Sequence, residues 1–350
     1  MPRVQADVLI QFGQALFQSI GAPVEEASLV ARLLVDANLS GHDSHGVIQI
    51  PGYIKAYGEG LIAPGAASTM DRETPATALI DGHWGFGHRL AYEAMQLAID
   101  KARQCGVSAV GAYHCYHVGH LGVYGLLAAE AGMVAIIAVN DGGGGQRVVP
   151  HGGTAGRLST NPLAVGLPTG TAEPFILDMS TSVVAEGQVR LKRSRRESMP
   201  LGWMIDAFGR PTTDPEDFCR KIGSLLPLGG DVGYKGYGLG LAVDVLAGIL
   251  GRAGYSRARI PPYNNGLFMV VVDIGRFLGL QEFTAEVRRL VAYIKSCPHA
   301  SGVDEIVYPG ERAAQTRRYR GRHGIEIDSE TWRLLRTIAQ EHGIQAPDSV

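Results

Sequence analysis

The stretch Asp81–Leu90 reads DGHWGFGHRL, and its glycines decide what kind of α/β fold the chain can build. An apolar run, ATALI at 76–80, precedes it, and the helical pattern HRLAYEAMQLAIDKARQ follows from His88. This is the setting of a dinucleotide-binding turn. There, GxGxxG lets the backbone approach a pyrophosphate, and an acid about 20 residues on reads a ribose. Gly85 and Gly87 supply GxG, but Leu90 takes the third glycine position and Asp100 falls inside the helical pattern. The spacing favours a tight strand–helix turn over a Rossmann fingerprint. The chain also lacks a GxxxxGK[ST] loop, so nothing points to a nucleotide hydrolase.

Outward from this turn the pattern is α/β. VSAVGAYHC, MVAIIAVND, PLAVGLPT, PFILDMS and GLFMVVVDI are short β-rich runs. HLGVYGLLAAEAG and GYGLGLAVDVLAGILG are helical between them. EFTAEVRRLVAYIKSC and SETWRLLRTIAQEHG are amphipathic and close the chain. The first residues, MPRVQADVLIQFGQALFQSIG, also read as an amphipathic helix. VEEASLVARLLVDANL follows Pro23, with Leu29, Val30, Leu33 and Leu34 on one face. A short helix is expected after Pro51, and then the turn-rich GLIAPGAASTMDRETP is the best linker. The expected division is a helical domain from residues 1–72 with 305–350 and an α/β domain over 73–304. A chain of 350 residues is long for one core.

Bulk charge is −2, which argues against a role in binding nucleic acid or a membrane surface. No apolar run reaches the roughly 20 residues that span a bilayer. Cys105, Cys115, Cys219 and Cys297 lie far apart with no CxxC pair, which fits a reducing cytoplasm.

The densest chemistry lies in LSGHDSHGVIQIPGY, residues 39–53. His42 and His45 could share a metal with Asp43, and His117 and His120 repeat the spacing. The glycines make that backbone irregular, however, and no partner cluster stands out. A hydrolytic triad needs its serine on a strained elbow, which adjacent Ser44 and His45 do not offer easily. Gly41 as a helix cap with His42 near the negative end of the dipole explains His42 but not Ser44 and His45. Proton transfer remains, because a histidine titrates near neutrality and needs a neighbour to fix its tautomer. Asp178, at the end of the ILDM strand, is the best carboxylate for that purpose.

DSHG at 43–46, YHVGHLGVYG at 116–125, RLSTNP at 157–162 and ILDMSTS at 176–182 follow one another in a familiar order. GRPTTDP at 209–215, PLGG at 227–230 with GYKGYGLG at 233–240, and PGE at 309–311 continue it. Together they resemble the type-2 malate/L-lactate dehydrogenase family over nearly the whole chain, closest to its hydroxycarboxylate dehydrogenase branch. The resemblance implies an α/β (α+β) sandwich whose mixed sheet holds NAD or NADP without a Rossmann fingerprint. It also implies a helical domain from both chain ends, a homodimer and a site between domains. The implied reaction moves a hydride between nicotinamide and a 2-hydroxy or 2-oxo acid. A cyclic imino-acid reductase or a catalytically weakened cofactor-binding relative is the alternative.

Carried over by position, His45 matches the family's proton donor and acceptor, with Ser44 and Asp178 as relay partners and no metal. His117 lines the site. Leu177, Asp178, Ser180, Lys235, Asn265 and the turn Gly310, Glu311 and Arg312 match cofactor positions, with Thr160 and Asn161 near the nicotinamide. Two departures stand out. Gln49 replaces the arginine that holds the substrate carboxylate in many relatives, and Gln188 replaces a lysine. A neutral amide cannot make the bidentate charged pair, so Arg147 is the candidate replacement, against its reading as a surface arginine. The basic run Arg190, Lys192, Arg193, Arg195 and Arg196 could meet a 2′-phosphate or be a solvated loop.

Overall fold

The two ends of the chain meet. In the computed structural model, which describes residues 1–259 and 263–348, β1 (Arg3–Val4) pairs antiparallel with β12 (Ile325–Glu326). Around this pair pack α1 (Ala6–Ser19), α2 (Val24–Leu39), α3 (Ile50–Gly58) and α11 (Ser329–Glu341). Each contributes one apolar stripe: Leu9, Phe12 and Leu16 from α1, Val30 and Leu34 from α2, Ile50 and Tyr53 from α3, Trp332 and Leu335 from α11. Phe86, from the opening DGHWGFGHRL stretch, inserts into this core and contacts Phe17 edge-on at 5.3 Å. One aromatic ring thus joins the helical layer to the sheet.

The large sheet has seven strands: β2 (Thr69–Glu73), β3 (Thr77–Gly85), β4 (Val107–Cys115), β5 (Met133–Asn140), β6 (Leu163–Leu167), β7 (Phe175–Met179) and β11 (Asn265–Asp273). Their spatial order is β2-β3-β4-β11-β5-β6-β7. β3 and β4 run parallel, joined by α4 (Gly87–Cys105), and the remaining neighbours are antiparallel. The sheet is mixed, as expected. The strand from late in the sequence, NGLFMVVVD, sits at the centre, where a β-branched run satisfies the ladder on both sides. Leu267, Met269 and Val271 alternate toward α4 and α5 (Gly122–Glu130). The facing side of α4 is built from Ala91, Ala94, Ala98 and Ala102, small residues that let the helix lie close.

A third, small core surrounds the antiparallel sheet of β8 (Met204–Ile205), β9 (Pro211–Thr212) and β10 (Ser224–Leu225), with α6 (Glu186–Ser194) and α7 (Pro215–Cys219). α8 (Tyr234–Val243) continues into a π-helical segment, Asp244–Leu250. α9 (Leu280–Lys295) and α10 (Glu311–His323) complete eleven α-helices among the described residues. None of the described helices is long and apolar enough to cross a membrane.

The linker reading of residues 60–75 needs correction. Ile62 is buried in the helical core, and Thr69–Glu73 forms edge strand β2. All five of its residues are exposed, so no apolar alternation marked it as a strand. The glycines of DGHWGFGHRL also have a different use. A Cβ on Gly87 would run into the carbonyls of Tyr116 and His117, so glycine is needed there for the crossing of α4 over the end of β4.

A similar constraint joins β6 to α5. A Cβ on Gly166 would strike the backbone of Gly125, with no flexible side chain to yield. Gly166→Ala is expected to destabilise the protein by about 3 kcal/mol through overpacking, read as a fall in the urea midpoint at unchanged slope.

Candidate active site

α2 ends at Leu39, and two short 3-10 turns, Asp43–His45 and Val47–Gln49, carry the histidine stretch. Asn38 organises them. Its buried amide accepts from Val47 N–H at 2.9 Å and donates to Asp43 Oδ1 at 2.7 Å. Gly46 lies so close that any Cβ would overlap Asn38. From the far end of the chain, Arg320 of α10 grips both oxygens of Asp43, at 2.6 and 3.0 Å, and donates to the Asn38 carbonyl. Asp43 is therefore an anchor for the turn, its carboxylate used by Asn38 and Arg320.

The anchored turn presents Ser44 and His45. Ser44 Oγ lies 3.0 Å from His45 Nδ1, and Nε2 bonds no described protein group, nor is it sealed from solvent. Burial, then His42, pushes the His45 imidazole down to about 4, so it is uncharged at neutral pH. Gly187, at the start of α6, closes the far side: a Cβ there would lie 2.7 Å from Ser44 Cβ. His117 follows directly on β4 and lies 5.5 Å from His45, ring planes 25° apart. Both histidines thus sit beyond the carboxyl ends of the parallel pair β3 and β4, where α/β sheets bind ligands.

Next to them is a cavity of about 730 Å³, lined by His42, His120, Leu177, Asp178, Gly310 and Arg312 among others. His42 stacks on His120 at 4.0 Å. His120 Nε2 is 3.2 Å from Asp178 Oδ2, but the atoms are out of line and no hydrogen bond forms. Asp178 instead accepts from Gly122 N–H at 2.7 Å. Burial raises its carboxyl to about 6, against the N–H groups of Gly122 and Leu121.

This cavity has the features a dinucleotide needs. Gly310 heads α10 at φ +98°, and a Cβ there would sit 2.8 Å from Ile176 N and Pro174 O. The free N–H groups of a helix N-terminus suit a phosphate. The Arg312 guanidinium has no ion pair among the described residues. His120 Nε2 is buried and without a hydrogen-bond partner.

The residues named from sequence fall into three groups. Leu177, Asp178, Gly310 and Arg312 come together on the cavity wall, and Ser44, His45 and His117 in the cleft. A second set lies behind the walls. Asn265 accepts from Val118 N–H and donates to the Asn140 carbonyl, tethering the His117 segment. Asn161 is fully buried, donates to the Gly240 carbonyl and leaves Oδ1 unpartnered. The Thr160 carbonyl takes Thr181 N–H and hydroxyl, and Ser180 donates to the Ser182 carbonyl.

The third group points elsewhere. Glu311 turns away to Lys295 and Tyr308 N–H. Lys235 is exposed at the start of α8, beside Tyr234. Arg147 stacks on the Phe218 ring at 3.8 Å and donates to the Phe218 carbonyl. Gln49 donates to the Ser44 carbonyl at 2.6 Å, and Gln188 is exposed. Three members of the basic run, Arg190, Lys192 and Arg193, are paired with Glu186, Glu197 and Glu216.

Sequence reasoning missed Asn38, Tyr53, His88 and Arg320. Tyr53 and His88 lie inside quoted stretches, but no sequence signal singles them out.

Five imidazoles, His42, His45, His88, His117 and His120, are held uncharged by burial, which lowers each below its ordinary value of 6.5. Each takes up a proton on unfolding below that value, so the stability they allow is present above pH 6.5. It is lost as pH falls toward the folded values, about 4 for His45. Asp141 and Asp178, raised by burial to about 6, bind protons in the fold and oppose this. Burial raises the Glu26 carboxyl as well, but the five imidazoles outnumber the three carboxyls, so unfolding takes up protons on balance in this range and stability falls as pH falls. Urea midpoints should drop steeply between pH 6.5 and 5; equal midpoints would contradict the burial of neutral histidines.

Comparison with known proteins identifies the family. The family model for malate/L-lactate dehydrogenase matches residues 4–336. A malate dehydrogenase of Pyrococcus abyssi is 36% identical, the match covering 98% of this chain and 96% of the relative. The crystal structure of malate dehydrogenase from Entamoeba histolytica superposes with a TM-score of 0.94 at 27% identity, covering 99% of both chains. That of delta1-piperideine-2-carboxylate reductase from Pseudomonas syringae gives 0.85 at 30%, covering 97% of this chain and all of the other. The chain belongs to the malate/L-lactate dehydrogenase family, a family of oxidoreductases.

Proposed function

We propose that the protein interconverts a 2-hydroxy acid and a 2-oxo acid with a nicotinamide dinucleotide, and that His45 is its general acid and base. The observation that carries this is the His45 side chain: Nδ1 held by Ser44, Nε2 open to the cleft, beside a cavity fit for a dinucleotide. When bound, the nicotinamide supplies the hydride to C2 of the oxo acid or takes it from the hydroxy acid.

The protein's own groups do the rest. His45 gives a proton to the C2 oxygen during reduction and takes it back during oxidation. The Ser44 hydroxyl can donate to Nδ1 or accept from it, so it supports His45 in either tautomer. Gly310 and Arg312 hold phosphate oxygens, and the stacked His42 and His120 wall the cavity on the cleft side. With the Gln49 amide on a backbone carbonyl and Arg147 under Phe218, the substrate carboxylate meets neutral donors rather than a guanidinium. We read the protein as a cytoplasmic homodimer. The outer face of α9, with Leu290, Tyr293 and Ile294, is exposed apolar surface that a second copy would cover.

A cyclic imine is the second reading, favoured by the structural likeness to an imino-acid reductase. The nicotinamide absorbance band, followed with NADH and NADPH against 2-oxo acids and cyclic imines, separates the two. His45→Ala is expected to lower turnover of the active substrate on the order of 10²–10⁴-fold while NADH still quenches protein fluorescence. Turnover equal to the parent would refute the role of His45.

A further inference from the structure

The Tyr53 hydroxyl is fully enclosed among Phe17, Phe86, His88 and Tyr116. Its one hydrogen-bond partner among the described residues is His117 Nδ1, at 2.6 Å. Burial holds the phenol well above its ordinary value and the His117 imidazole well below its own, so both are neutral. A neutral imidazole carries one proton. If that proton were on Nδ1, the phenol hydrogen would be sealed in apolar surroundings with nothing to accept it, an arrangement buried polar groups avoid. His88 does not compete: it meets His117 edge-on at 6.2 Å, and neither of its nitrogens has a hydrogen-bond partner. The arrangement that satisfies both Tyr53 and His117 puts the phenol hydrogen on Nδ1 and the imidazole proton on Nε2. That edge bonds no described protein group and opens on the cleft beside His45.

We infer that Tyr53 is a positioning residue that locks His117 in its Nε2–H tautomer, making it a fixed hydrogen-bond donor to a substrate oxygen. The two neighbouring histidines then differ by design of their partners. His45 is backed by a serine hydroxyl on the accessible side, which turns freely and permits both tautomers. His117 is backed by an enclosed phenol, which permits one. A site whose carboxylate contact lacks a guanidinium gains a neutral donor of constant polarity in either direction of reaction. This rests on the hydride-transfer reading for its substrate, but the tautomer itself does not.

The test is nitrogen NMR of the full chain labelled with 15N-histidine, with His117 assigned by its loss in His117→Gln. The expected result is a protonated Nε2 and an unprotonated Nδ1 at neutral pH, with a mixture in Tyr53→Phe. A protonated Nδ1 in the parent protein overturns the proposal whatever the activity. In kinetics, Tyr53→Phe should lower kcat/KM about 10- to 100-fold, leave the NADH dissociation constant unchanged and add no further loss in a His117→Gln background. An additive loss in the double variant would assign Tyr53 a packing role instead. Absence of any turnover by the parent protein, with the tautomer as expected, would count against the proposed reaction and not against the lock.

Discussion

The grip of Arg320 on Asp43 and Asn38 is the constraint on which the site depends. The active-site turn is too short and too rich in glycine to hold a shape from its own hydrogen bonds, and 3-10 turns of three residues are weak alone. Its geometry is imposed from outside, by an amide one turn back in α2 and a guanidinium nearly three hundred positions away. This explains why the two chain ends share one layer. α10 has to reach α2 for His45 to face the sheet, and Arg317 with Asp36 and Ser40 repeats the attachment one turn along. The same helix presents Gly310 and Arg312 to the cavity. The turn that carries His45 and one wall of the cavity are thus set by one element.

Electrostatically the site is built from neutral groups. Burial is the leading perturbation at His42, His45, His88, His117 and His120, and no ion pair with a carboxylate opposes it at the two cleft histidines. Uncharged imidazoles can stack at 4.0 Å, as His42 and His120 do, without mutual repulsion. In the proposed reaction such a cleft would polarise a carbonyl with directed N–H groups. It leaves the formal charges to the cofactor end, where Arg312 and the start of α10 face the cavity. It also gives Asp178 a different setting from the one its sequence position implied. The carboxyl is next to His120, beyond the His42 stack, and its Oδ2 takes the Gly122 N–H at the start of α5.

Much of this was legible in the sequence. Runs such as MVAIIAVN and NGLFMVVVD announced strands because buried strands need continuous β-branched residues, and the missing third glycine at Leu90 correctly argued against a Rossmann turn. Ser44, His45, His117 and Gly310 are named from ordered motifs that resemble the family's, and the structure adds that Gly310 stands at φ +98°. What stayed hidden depends on distance in the chain. Strand β2 is exposed on both faces and carries no apolar alternation. The anchoring role of Asp43 stays hidden because its partner Arg320 comes from the opposite terminus. Lys235 and Glu311 matched cofactor positions by motif, but a motif does not record which way a side chain turns, and Lys295 supplies Glu311 with a nearer partner. Tyr53 looked like any core aromatic because its partner follows a strand 64 residues later.

The central claim is that a hydride passes directly between nicotinamide and the carbon bearing the oxygen, with His45 moving only a proton. It is tested most directly by reducing an accepted 2-oxo acid with NADH deuterated at the transferring C4 position and analysing the hydroxy acid by mass spectrometry. One deuterium at C2 of the product is the predicted result. Product formed without deuterium at C2 would contradict it.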